Sequence, residues 1–67
     1  MTLTWQDVEA IAAALAATHP GRNPLRVAPQ ELAALVSALP GFVDDPGAAS
    51  VERLEAIQAS WYEALQQ

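Results

Sequence analysis

Apolar residues recur along this chain at the spacing of an amphipathic helix in three separate stretches. They predict a first helix over 4–18, a second that begins at Pro29 and ends before Pro40, and a third over 50–65. In each stretch, apolar residues three, four or seven positions apart share one face. The residues on these faces are Trp5, Val8, Ile11, Ala12, Leu15, Leu32, Leu35, Val36, Leu39, Leu54, Ile57, Trp61 and Leu65.

Residues that begin and end helices flank the three stretches. Thr4 with Asp7 three positions later forms a capping-box pattern, and Ser50 is the predicted N-cap of the third helix. Pro29 suits the first position of the second helix, because its missing N–H would have no partner there. Short connectors containing proline and glycine separate the helices. The pattern therefore predicts an all-α fold, a single three-helix domain over 1–67 with a helix–turn–helix-like arrangement.

The chain is strongly acidic. Eight residues are Asp or Glu and three are basic, which gives a formal net charge of -5. Nucleic-acid affinity depends mainly on neutralising phosphates, so we expect no nucleic-acid binding despite the helix–turn–helix-like pattern. A basic protein surface or a cation is the better electrostatic match.

The residues expected of an enzyme are absent. Without cysteine the chain has no thiolate nucleophile, disulfide or Cys-ligated cluster of its own. The single histidine, His19, stands beside a Pro-Gly turn, and the sequence contains no Gly-rich phosphate loop or nucleophilic triad pattern. The longest apolar run, 10–17, is far shorter than the roughly 20 residues that span a bilayer. We therefore expect a non-enzymatic, cytoplasmic monomer that does not enter a membrane.

Asp44 and Asp45 stand before a Pro-Gly turn and allow two interpretations. In the first, they hydrogen-bond local backbone, start the turn and stabilise the N-terminus of the next helix. In the second, they form a carboxylate patch with Glu52 and Glu55 that binds arginines or loosely holds Fe(II) or Mg(II). The sequence alone leaves both interpretations open.

Several motifs occur in a fixed order along nearly the whole chain. They are Leu3-x-Trp5-x-Asp7, then Ile11 and Leu15, Pro20 and Pro24, Phe42-x-Asp44-Asp45-Pro46, and Leu54-Glu55-Ala56-Ile57-Gln58-x-x-Trp61. Together they resemble the IscX family of small acidic iron–sulfur cluster assembly proteins. The resemblance implies a modified winged-helix-like fold without DNA binding. It also implies a regulator that docks on the cysteine desulfurase IscS, close to the surface used by frataxin, and modulates sulfur delivery to the scaffold IscU.

The resemblance also implies which residues carry the function. Asp7, Asp44, Asp45 and Glu55 match acidic positions of the family, and with Glu52 they are the predicted partner-binding residues. Family members bind iron weakly, which makes Asp44 and Asp45 the candidate metal ligands. The alternative function is therefore an Fe(II) chaperone or sensor, and we expect no tightly bound cofactor.

Overall fold

The structure is a computed structural model that describes residues 2–66. It contains three α-helices: α1 (Val8–Thr18), α2 (Pro29–Ser37) and α3 (Val51–Leu65). A single turn of 3-10 helix, Pro24–Arg26, lies between α1 and α2. Within the described residues there is no β-strand beyond one isolated bridge. The all-α prediction is confirmed, whereas the winged-helix-like detail stays a prediction.

The start of α1 differs from the predicted boundary. The helix begins at Val8 with Asp7 as its N-cap, so the prediction of helix from Thr4 was wrong. Asp7 N donates to Thr4 O at 3.0 Å, which closes a turn over 4–7. The Asp7 carboxylate accepts from Thr4 N at 2.9 Å and so points back along the chain. Thr4 and Asp7 therefore hydrogen-bond each other, as the capping-box pattern predicts, but their contacts stabilise the turn before the helix and not its first turn.

The other helix signals are confirmed. Pro29 is the first residue of α2. Ser50 is the N-cap of α3, where its Oγ accepts from Arg53 N at 3.1 Å. None of the helices within 2–66 is both long and apolar enough to cross a membrane.

The core is formed chiefly by α1 packed against α3, with α2 and the N-terminal segment covering it. Both tryptophans are buried, as the sequence predicts, and Trp61 has no exposed surface. Val8, Leu35 and Leu65, also predicted on apolar faces, are only partly buried. The hydrophobic core cluster consists of Leu3, Trp5, Ile11, Ala12, Leu15, Val27, Leu32, Val36, Leu39, Leu54, Ile57 and Trp61.

A backbone bridge ties the N-terminal segment to the loop after α2. Leu3 N donates to Gly41 O at 2.8 Å, and Val43 N donates to Leu3 O at 3.0 Å, so that Leu3 pairs with Phe42. Gly41 has a φ of 86°, a conformation that residues with a Cβ rarely adopt. The bridge places the loop 43–47 beside the turn that precedes α1.

Candidate docking surface

The side chain and backbone of Trp5 hold the acidic loop in place. Asp44 Oδ2 accepts from Trp5 N at 3.2 Å, and Trp5 Nε1 donates to Asp45 O at 2.7 Å. The Trp5 ring also meets Phe42 edge to face, with ring centroids 5.0 Å apart. The indole is thus buried as predicted, and its one polar atom is satisfied by the loop.

Both aspartates of the loop also hydrogen-bond the loop's own backbone. Asp44 Oδ1 accepts from Asp45 N at 2.8 Å, and Asp45 Oδ1 accepts from Gly47 N at 2.9 Å. These are the contacts of the turn-forming interpretation. They account for the presence of both residues, while their predicted role in partner binding stays a prediction.

Asp7 joins Asp44 at the N-terminal end of α1. Asp7 accepts from Thr4 N, and Asp44 accepts from the next amide along the chain, that of Trp5. The two carboxylates thus bind adjacent amides of the turn before α1, and each is stabilised by a backbone donor. We call Asp7, Asp44 and Asp45 the loop acids.

Glu52 and Glu55 lie on the outer face of α3, as the periodicity predicts, and both are exposed. We call them the helix acids. Neither makes a side-chain hydrogen bond or ion pair with another residue in 2–66, in contrast to the exposed Arg22–Glu31 pair. The half-buried Arg53 lies beside them and lines a shallow groove with Trp5 and Asp44. The predicted site therefore consists of acids bound to backbone and acids whose charge is not used within the fold.

The geometry for a metal ion is sparse. Across residues 2–66 there is no group of three or more His, Asp or Glu side chains that could hold one. Asp44 and Asp45 offer two carboxylates, and three of the backbone hydrogen bonds described above already use their oxygens. A hard cation takes about six or more oxygen ligands, so water would supply most of them. The weak Fe(II) site at Asp44 and Asp45 stays a prediction.

Two further surface features were missed by the sequence analysis. Glu9 and Glu63 border an alanine-lined groove between α1 and α3. An apolar cleft lies between α2 and α3, bordered by Val51 and Glu55. Periodicity assigns residues to a face of one helix, but it does not say which helices pair, so neither feature has a sequence signal.

Residues 2–66 thus form a small three-helix domain that exposes carboxylates without ion-pair partners among these residues, Glu52 and Glu55 in particular. Residues 3–66 match the iron-sulphur cluster assembly family. The chain belongs to this family, the IscX family, as the motifs predict. The family is associated with cluster assembly and is not a known catalytic family.

A protein of Pseudomonas aeruginosa, described as uncharacterized, is similar to this chain along most of its length. The two are 43% identical over 63 residues, which cover 94% of this chain and 96% of the relative. The similarity thus extends over the helices and the acidic loop alike.

Proposed function

We propose that this protein is an adaptor that binds a cysteine desulfurase of the IscS type and regulates sulfur delivery to iron–sulfur cluster assembly. Membership of the assembly family supports the process. The location of the docking surface is inferred from the helix acids, Glu52 and Glu55. Both are exposed on one face of α3, and neither has a side-chain partner in 2–66. Two uncompensated carboxylates on a rigid helix suit arginine or lysine side chains of a basic partner surface.

The mechanism follows from the charge and from the missing thiol. Without cysteine, the chain cannot accept a persulfide, so sulfur chemistry stays on the desulfurase and its scaffold. A net charge of -5 speeds encounter with a basic surface and selects the orientation that places carboxylates against cations. Occupying that surface excludes any other acidic protein that needs it, including frataxin. Regulation then arises from competition and from the geometry of the docked complex.

The test is calorimetric titration of the purified desulfurase with charge-reversal variants. Glu52→Lys/Glu55→Lys should weaken binding by at least tenfold, because attraction becomes repulsion on the docking face. The control is Glu9→Lys/Glu63→Lys, which changes the net charge equally but alters the groove between α1 and α3. If both variants lose the same affinity, net charge alone explains the loss. If Glu52→Lys/Glu55→Lys loses no affinity, α3 is not the docking face.

The loop acids are a poor choice for such a test. The Asp44 carboxylate accepts hydrogen bonds from Trp5 N and Asp45 N, so reversing its charge would also disturb the N-terminal segment. A binding loss in Asp44→Lys/Asp45→Lys would then report folding and docking together.

The loop acids instead suit a test of a second function, that of an Fe(II) chaperone. Asp45 is exposed and directly follows Asp44, which makes this turn the best-placed pair of adjacent carboxylates in the chain. Anaerobic titration with Fe(II) should show saturable binding that Asp44→Asn/Asp45→Asn abolishes. Heat no greater than that of dilution would reject this function.

A further inference from the structure

The cleft between α2 and α3 is a small apolar depression at the edge of the helix acids. Its volume is about 150 Å³. Pockets for drug-sized ligands measure about 300–1,000 Å³, so this cleft has room for one side chain and not for a small-molecule cofactor. Its floor is formed by the buried residues Val27, Leu32 and Leu54, and its rim by Val51, Glu55 and Gln58.

The rim sets the chemistry of an occupant. Gln58 Nε2 donates to Pro24 O at 2.6 Å, which engages the donor end of the amide and leaves Oε1, an acceptor, as its other polar atom. The carboxylate of Glu55 is also an acceptor and carries negative charge. Val51 is 60% exposed and presents apolar surface beside them. An occupant must therefore combine apolar surface with positively charged donors.

We propose that this cleft binds a single arginine side chain from the basic surface of the partner. The methylene stem packs between Val51 and Leu54, and the guanidinium donates to the Glu55 carboxylate and to Gln58 Oε1. This proposal rests on the proposed function, since it specifies one contact of the docking face on α3.

Arginine fits this arrangement better than the alternatives. Its planar guanidinium presents five donors in a fixed fork and can satisfy two acceptors at once, and it is less strongly hydrated than an ammonium group. Lysine offers a compact, strongly hydrated charge at the end of its stem. An aliphatic side chain would cover the acceptors without satisfying them, which carries a desolvation cost.

A direct test uses a probe that does not depend on the desulfurase. Amide resonances of the isotopically labelled protein are followed during titration with Nα-acetyl-arginine amide, and separately with the lysine and norleucine amides at matched ionic strength. We expect saturable shifts at Val51, Glu55 and Gln58 with the arginine probe and weaker ones with the others. Val51→Phe, which fills the cleft, should abolish them. Val43→Phe adds the same bulk at a residue that is 65% exposed and does not line the cleft, and it should retain them.

Three results of the titration would overturn the proposal. The first is the absence of saturable shifts at the cleft. The second is identical shifts with arginine and lysine probes, spread over all the acidic residues. The third is shifts that survive in Val51→Phe.

A second measurement separates this proposal from the function on which it rests. Glu55→Gln and Glu52→Gln each remove one negative charge from α3, but only Glu55 lines the cleft. We expect desulfurase affinity to fall by roughly tenfold for the first, the effect of losing a charge-assisted hydrogen bond, and by a smaller factor, about two- to threefold, for the second, which removes charge from the docking face but no hydrogen bond in the cleft. Equal losses would overturn the arginine site and leave the adaptor function standing. A wild-type protein that does not bind the desulfurase would overturn the adaptor function, while the probe titration still decides the cleft.

Discussion

Replacing Asp44 by alanine should destabilise the protein by about 2 kcal/mol, although the residue lies in a surface loop. Its carboxylate accepts two backbone N–H bonds, from Trp5 at 3.2 Å and from Asp45 at 2.8 Å. A hydrogen bond to a charged group contributes about 1.5–3 kcal/mol, but the first bond is long and the side chain is only half-buried, so we expect about 2 kcal/mol for the two bonds together. Trp5 is buried, so its amide would lose a partner where water has little access.

Urea unfolding followed by far-ultraviolet circular dichroism measures this loss directly. For a domain of this size, a change of 1 kcal/mol shifts the midpoint of thermal unfolding by about 4–8 °C, so Asp44→Ala should melt roughly 8–16 °C below the wild type. Asp44→Asn keeps one carbonyl acceptor, so its stability should lie between those of the wild type and Asp44→Ala. Glu55→Ala is the matched control, because it removes the same charge from an exposed position without a hydrogen bond in 2–66 and should change stability by no more than about 0.5 kcal/mol.

One outcome would refute the reasoning. If Asp44→Ala and Glu55→Ala unfold at the same urea concentration, the Asp44 carboxylate does not hold the N-terminal segment. Asp44 would then belong with the acids available for docking, and its charge reversal would become a fair test of partner binding.

Two further predictions concern the backbone and the core. Gly41→Ala should cost about 1–2 kcal/mol because of its φ of 86°, whereas Gly21→Ala, whose Cβ meets nothing within 4 Å, should be neutral or stabilising by up to about 1 kcal/mol. Thermal melts of the pair check this, and a Gly41→Ala midpoint at or above that of Gly21→Ala would contradict it. Trp61→Ala should cost about 3–5 kcal/mol, since the side chain is fully buried. Trp61→Phe should cost much less, because it also removes Nε1, a buried donor without a partner within 2–66; equal losses in urea unfolding would disprove this.

The helices and their buried faces could be predicted from sequence because both depend on local spacing. Pro29 and Ser50 act within one turn of the helix they begin, and the structure places both as predicted. The start of α1 could not be predicted in this way. Thr4 and Asp7 were correctly paired, but the amide of Trp5 binds a carboxylate 39 positions away, and no local pattern reports that contact.

The features of the candidate site likewise separate into those that local spacing predicts and those that depend on tertiary contacts. The exposure of Glu52 and Glu55 follows from the periodicity of α3, and the structure confirms it. The contacts of Asp44 depend on the Leu3–Phe42 bridge, a long-range contact that no local pattern reports, so the sequence alone did not show that its carboxylate binds the amide of Trp5. The cleft had no signal at all, because it forms between α2, α3 and the segment that precedes α2.

The two groups of acids differ in what a substitution costs, and this difference limits how the surface can adapt to a partner. A change at Asp44 alters hydrogen bonds that position Trp5 and the start of α1, so the free energy of unfolding changes with it. A change at Glu52 or Glu55 alters only exposed charge, which contributes little to folding but, in the proposed complex, acts on the basic surface of the partner. If α3 is the docking face as proposed, affinity for the partner can be adjusted there without loss of the fold. The loop acids also contribute negative charge, but each carries a backbone hydrogen bond that the helix acids lack: Asp7 binds Thr4 N, Asp44 binds Trp5 N and Asp45 binds Gly47 N.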